Sequence, residues 1–325
     1  MTTTLPKKWI ARRIAELDPD KDYDEIWKLT SAYRPNDFFM NLVYAVTFPH
    51  FFVREHDARP LFDHGKGKIL TRPDARSDDT SWKMQVWWHY GSEHEQTRRN
   101  VESINRLHAH YAKQFPESFR EHGSYMYTLC YECAGMHRLF LRIGLPGYTE
   151  KEKLAAVNYW RRMTGLFRNA ATNEQIDGFP EDFDGVMAYM DRYELEGMTE
   201  APHEMGRIGA RAILRQFEHR YFPGWLHPVV RAWIISLYPS NLLHAYELKA
   251  PPRPVVALFR RVTAMLFAFG ERFAPDPTDT FQERRQARLA KQRGNARPEP
   301  AVEPPEHEAA RQAGCPHFQR THEDQ

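Results

Sequence analysis

The sequence predicts an all-α protein. Residues 1–275 would form a single large multi-helix domain of the globin-like or orthogonal-bundle kind, and residues 276–325 a charged, proline-rich, disordered tail. Apolar residues recur at i, i+3, i+4 and i+7 through most of the chain, as in Val101, Ile104, Leu107, His108, Tyr111 and Phe115. Almost no segment alternates apolar and polar residues as a half-buried strand must. Hydrophobic residues at 42% and aromatics at 13% supply enough apolar surface for a large core.

A charged helix is expected near Lys8–Leu17, broken by Asp18-Pro19-Asp20, and a second over Asp22–Ser31. The aromatic run FFMNLVYAVTFPHFFVREH reads as a buried helix kinked or ended before Pro49, because proline lacks an amide proton and disfavours helical geometry in the residue before it. His50 and His56 flank that break and read as helix-end or surface histidines. His64–Asp79 reads as a loop, and its Gly-Lys-Gly-Lys lacks the spacing of a phosphate cradle. Thr80 is then a candidate cap for SWKMQVWWHYG, whose Trp82, Trp87, Trp88 and His89 form an aromatic surface, either pocket wall or plain core.

Val101–Arg142 reads as two helices joined by a short loop, each with one histidine on its apolar face. His108 lies in the first stripe, while His110 points away, about 200° further round. His137 lies in the second, with Met126, Cys130, Cys133, Ala134 and Leu141. Such a histidine is either a core residue with hydrogen-bonded ring nitrogens or a metal ligand, and the spacing leaves both open. Cys130 and Cys133 form a C-x-x-C without the preceding strand or second pair that redox or zinc sites need, and read as core packing. Cys315-Pro316-His317 in the tail reads as an exposed thiol or a weak metal or haem site.

Thr149 with Glu152 makes a capping box at the start of the next helix, and further helices are expected at Glu181–Leu195, His203–Phe217, His227–Leu237 and Pro254–Phe273. The last alternates apolar residues with arginines and suits either a core helix, the preferred reading, or one lying on a membrane.

The formal net charge of +2, from 45 basic and 43 acidic residues, argues against a nucleic-acid partner. No apolar run is long enough to span a bilayer and the N-terminus lacks an apolar signal core, so a cytoplasmic location with at most peripheral membrane contact is expected. The only Glu-x-x-His, Glu200 to His203, holds a proline, which argues against a di-iron carboxylate bundle. Hydrolase and dinucleotide motifs are missing.

The order LDPDKDYDEIWKLT, ARSDDTSW, SINRLHAHY, YMYTLCYE and LPGYTEKEKLAAVNYWRRM resembles the mpaB and rubber-oxygenase catalytic-domain family, most nearly its mpaB-like branch. The motifs that carry the resemblance are Arg76-Ser77-Asp78-Asp79-Thr80, Asn105-Arg106-Leu107-His108-Ala109-His110-Tyr111 and Tyr127-Thr128-Leu129. It implies an oxidoreductase that binds haem b through a helix histidine and uses dioxygen on hydrophobic, often isoprenoid, alkenes. On that footing His137 is expected as the proximal iron ligand, with His108 on the distal side or itself the ligand. Arg106 is expected as a solvated charge, a haem-propionate partner or a distal-pocket donor. Glu132 is expected as a solvated or paired carboxylate, or as a base that abstracts an allylic proton. Trp82, Trp87, Tyr127 and Phe140 would line the pocket. The alternative is a non-catalytic haem or lipid carrier that docks on membranes through Pro254–Phe273.

Overall fold

The structure, a computed structural model, describes residues 7–197 and 202–295, so Glu200 and Cys315-Pro316-His317 lie outside the described residues. These hold 16 α-helices, three short 3-10 turns and no strand beyond one isolated bridge, Arg168 to Gln175, which makes the protein all-α. Residues through Gln282 form one compact unit, and a second begins at Glu283.

Helices α1 (Trp9–Glu16), α2 (Tyr23–Ser31) and α3 (Asp37–Thr47) open the first unit. Asn36 caps α3 by accepting the Phe39 amide. Pro49 ends α3 as expected, but the chain continues inward as a 3-10 turn, Phe48–Phe52, with His50 buried. Helices α4 (Glu55–Phe62) and α5 (Lys68–Thr71) follow.

The expected loop at 64–79 is largely helical. Helix α6 runs Pro73–Tyr90, with Pro73 in the first turn, where its missing amide costs nothing. Thr80 is therefore not a cap but a mid-helix residue whose hydroxyl donates back to the Arg76 carbonyl. Helix α7 (Glu95–Ala112) starts earlier than its apolar stripe, at a cap made by His94, and the short α8 (Pro116–Arg120) fills the link to α9 (His122–Arg142). The capping box of α10 (Glu150–Thr164) is complete, Thr149 and Glu152 satisfying each other's backbone amides. Helices α11 (Phe183–Gly197), α12 (Glu204–Tyr221), α13 (His227–Leu237), α14 (Ser240–Ala245) and α15 (Arg253–Phe273) complete the unit.

Helix α9 belongs to two cores. Met126, Leu129, Cys130 and Cys133 on its first half join Trp87 of α6, Val101 of α7 and Tyr159 and Trp160 of α10. Leu139 on its second half joins Ile213 and Phe217 of α12 and Ile234 of α13. Two cysteines thus serve as small apolar residues, as expected, and burial pushes the Cys130 thiol up to about 12.

Two expectations need correction. Residues 276–282, assigned to the tail, belong to the first unit: Phe281 is buried in the first core and Asp276 accepts the Ile10 amide. Helix α15 is not a core helix, since only Thr263 is buried along its 21 residues. Helix α16 (Phe281–Asn295) begins at the boundary, within the stretch expected to be disordered.

Candidate functional site

Arg76, Thr80 and Lys83 share one face of α6, because i, i+4 and i+7 positions return to the same side of a helix. The acids of the same stretch turn elsewhere: Asp78 pairs with Arg220 at 2.8 Å and Asp79 with Lys68 at 3.3 Å. That sorting leaves Arg76 without a carboxylate partner among the described residues. Its guanidinium donates to the Thr80 hydroxyl and lies 4.6 Å from the centre of the Phe48 ring.

His108 on α7 faces this cation. Its ring packs against Phe119 at 5.3 Å and Tyr125 at 6.2 Å between centroids. Burial first, then the charges of Arg76 and Lys83, lower its pKa to about 4, so it is neutral at pH 7. No hydrogen bond reaches either ring nitrogen among the described residues, and Nδ1 is buried. The residue as a whole keeps partial exposure. One turn earlier, Asn105 fixes the helix: its amide donates to the Leu166 carbonyl at 2.9 Å and its oxygen accepts the Arg168 amide at 3.3 Å.

Glu132 sits two turns beyond Tyr125 on nearly the same face of α9. It has no hydrogen bond or ion pair among the described residues, and burial alone raises its pKa to about 8. At pH 7 it is a neutral carboxylic acid, not the solvated or paired carboxylate expected, and a base only above about 8. Its raised value has a stability consequence of definite sign. The folded chain keeps a proton there that the unfolded chain releases near 4.5, so Glu132 contributes fully below about 4.5 and that contribution is lost as pH rises through about 8. Glu132→Gln should therefore gain stability over wild type steadily across that window in urea titrations, and a constant difference would refute the assignment.

His137 occupies a different place. It lies about 18 Å along the α9 axis from Tyr125, at 1.5 Å per residue, so it does not share a site with His108. Its ring packs on Phe183 at 5.0 Å, and Nδ1 accepts the Tyr148 amide at 2.9 Å. Burial and Lys153 lower its pKa, keeping the ring neutral. A neutral imidazole whose Nδ1 accepts a hydrogen bond carries its proton on Nε2 and has no lone pair there for iron. That chemistry sets aside the expected proximal ligand in favour of a structural role, closing the turn at Gly147. A Cβ on Gly147, at φ +74°, would lie 2.5 Å from His137 Nδ1. Gly147→Ala should cost about 1–3 kcal/mol in urea unfolding. The cost should shrink when His137→Ala removes the clash, whereas strict additivity would refute the contact.

The other expected residues scatter. Arg106 points outward and pairs loosely with Glu102 at 3.5 Å, both largely exposed. Trp82 packs against the first core, and Phe140 faces Phe267 in the second. Tyr127 is buried, but its hydroxyl donates to Glu194 at 2.8 Å in a polar cluster with His50, Arg138 and Asn241. His50, expected at a surface or helix end, is 3% exposed there. His56 is partly buried, with Nε2 2.8 Å from Glu121. Of the residues expected at a site, His108 alone meets Arg76 and Lys83, to which the sequence assigned no site role although Arg76 lies in a motif. Their i, i+7 spacing was the signal, legible only once Pro73–Tyr90 is read as helix.

Among the described residues no three or more His, Cys, Asp and Glu side chains gather as a metal site. His108, neutral and with neither ring nitrogen hydrogen-bonded among the described residues, has the donor chemistry of a single imidazole ligand. Comparison with models of known protein families finds no match, and comparison with curated proteins finds none either.

Proposed function

We propose that the chain is a haem b-dependent oxygenase acting with dioxygen on a hydrophobic, alkene-bearing substrate, in which His108 would hold the iron. One observation carries this reading: among the described residues, a neutral imidazole with no hydrogen-bond partner lies within electrostatic reach of an arginine with no carboxylate partner. Iron needs the first, and the anionic edge of a porphyrin needs the second.

Haem b, when bound, supplies the dioxygen chemistry. The chain's own contribution is holding and shielding. His108 would offer a lone pair, Arg76 and Lys83 would meet propionate charge, and Phe119 and Tyr125, packed on the His108 ring, would shield it. The resemblance of the Arg76–Thr80 and Asn105–Tyr111 segments to the mpaB and rubber-oxygenase family supports the same reading.

The test is the absorption spectrum of purified protein, oxidised and dithionite-reduced, with a pyridine haemochrome assay, followed by dioxygen consumption with an isoprenoid alkene. A haem b Soret band and substrate-dependent consumption are expected. No band after reconstitution would overturn the proposal, and a band without consumption would leave a haem carrier.

A further inference from the structure

We propose that the outer face of α15 docks on a lipid surface bearing anionic headgroups. The proposal stands apart from the reading of His108 and does not depend on it.

Six large apolar side chains on this helix are exposed: Leu258 59%, Val262 36%, Met265 54%, Leu266 63%, Phe269 64% and Phe273 60%. At about 100° per residue they fall within an arc of about 100°, one continuous stripe along the helix. The opposite side attaches the helix to the body. Thr263 accepts the Trp233 indole N–H, Arg260 donates to the Ser236 carbonyl, and Phe267 packs on Phe39 and Phe140. The stripe therefore points directly away from the protein. A lone convex ridge of this kind suits a deformable apolar medium better than a rigid groove.

Charge decides which surface. Arg261 and Arg272 are exposed on one shoulder of the stripe. The helix's one acid, Glu271, lies on the body side and is paired with Arg34. Apolar residues in the middle with arginines at the edge match the depth profile of an anionic interface, hydrocarbon below and phosphate at the rim. The C-terminal residues 296–325 do not match the stripe as a covering segment. They hold two large apolar side chains, Val302 and Phe318, against the stripe's six.

The experiment is flotation of the full-length protein with phosphatidylcholine vesicles, with and without phosphatidylserine, alongside size-exclusion chromatography. Wild type should float with the phosphatidylserine vesicles and run as a monomer. Leu266→Asp with Phe269→Asp should abolish flotation while circular dichroism stays unchanged. Arg261→Gln with Arg272→Gln should weaken binding to anionic vesicles about 30-fold, at about fivefold per arginine, with little effect on neutral ones. Two results would overturn the proposal. One is no flotation of wild type. The other is a dimer that the aspartate pair dissociates, which would assign the stripe to a second copy of the chain.

Discussion

His108→Ala is expected to remove haem binding, lowering affinity by more than about a hundredfold, because substitutions one shell further out already cost about 10–100-fold. His137→Ala should bind like wild type, since its Nδ1 is committed to the Tyr148 amide. Arg76→Gln should weaken binding about tenfold to a hundredfold, the worth of a charge-assisted hydrogen bond in a partly buried site. Soret titrations of the apoprotein measure all three. A collapsed pocket is distinguished by His108→Gly: added imidazole should restore the band if the ring is the ligand and do nothing if its loss merely disorders α7. Loss of haem in His137→Ala with retention in His108→Ala would reverse the assignment.

That contrast also shows what the sequence could and could not disclose. Both histidines sit on apolar stripes, so spacing alone gives them equal standing. What separates them is a backbone amide from the turn after α9, which reaches only His137, and a pair of cations from α6, which faces only His108. Arg106 and Arg76 are separated in the same way. Both lie in motifs, but which one faces inward depends on the packing of α7 against α6 and α8, and Arg106 lies on the outer side.

The helical framework was legible where local chemistry announces it, as in the Thr149–Glu152 box and the Pro49 break. It was illegible at 74–79, because DARSDD has no apolar periodicity and its polar residues are satisfied by distant partners, Ser77 by Asn41, Asp78 by Arg220 and Asp79 by Lys68. Helix α15 shows a different limit. Its periodicity marks an amphipathic helix, but α15 has apolar residues on both sides, and only the fold shows that the broader stripe is the one left uncovered.

Glu194→Ala should be strongly destabilising, by about 3–5 kcal/mol, the cost of leaving a buried charge unpartnered. Glu194 is only 10% exposed on its side chain, and its carboxylate collects four donors where the two cores meet on α9. Arg138 donates to both oxygens, at 2.7 and 3.0 Å, the Tyr127 hydroxyl to one at 2.8 Å and the Asn241 amide to the other at 3.0 Å. Arg142 adds a second cation close by, its own pKa lowered by burial and by Arg138. Removing the carboxylate leaves Arg138, 14% exposed on its side chain, with only the solvent-facing Asp191. His50 cannot help, because burial and the two arginines hold its pKa well below 6.5 and the ring stays neutral. Urea unfolding of Glu194→Ala, set against the exposed pair mutant Glu95→Ala, which should move stability by less than about 0.5 kcal/mol, isolates the effect of burial. Combining Glu194→Ala with Arg138→Met should recover part of the loss, since the stranded cation leaves with its partner. If the double variant were as unstable as the two single losses added together, the carboxylate would be acting through Tyr127 and Asn241 and not through charge.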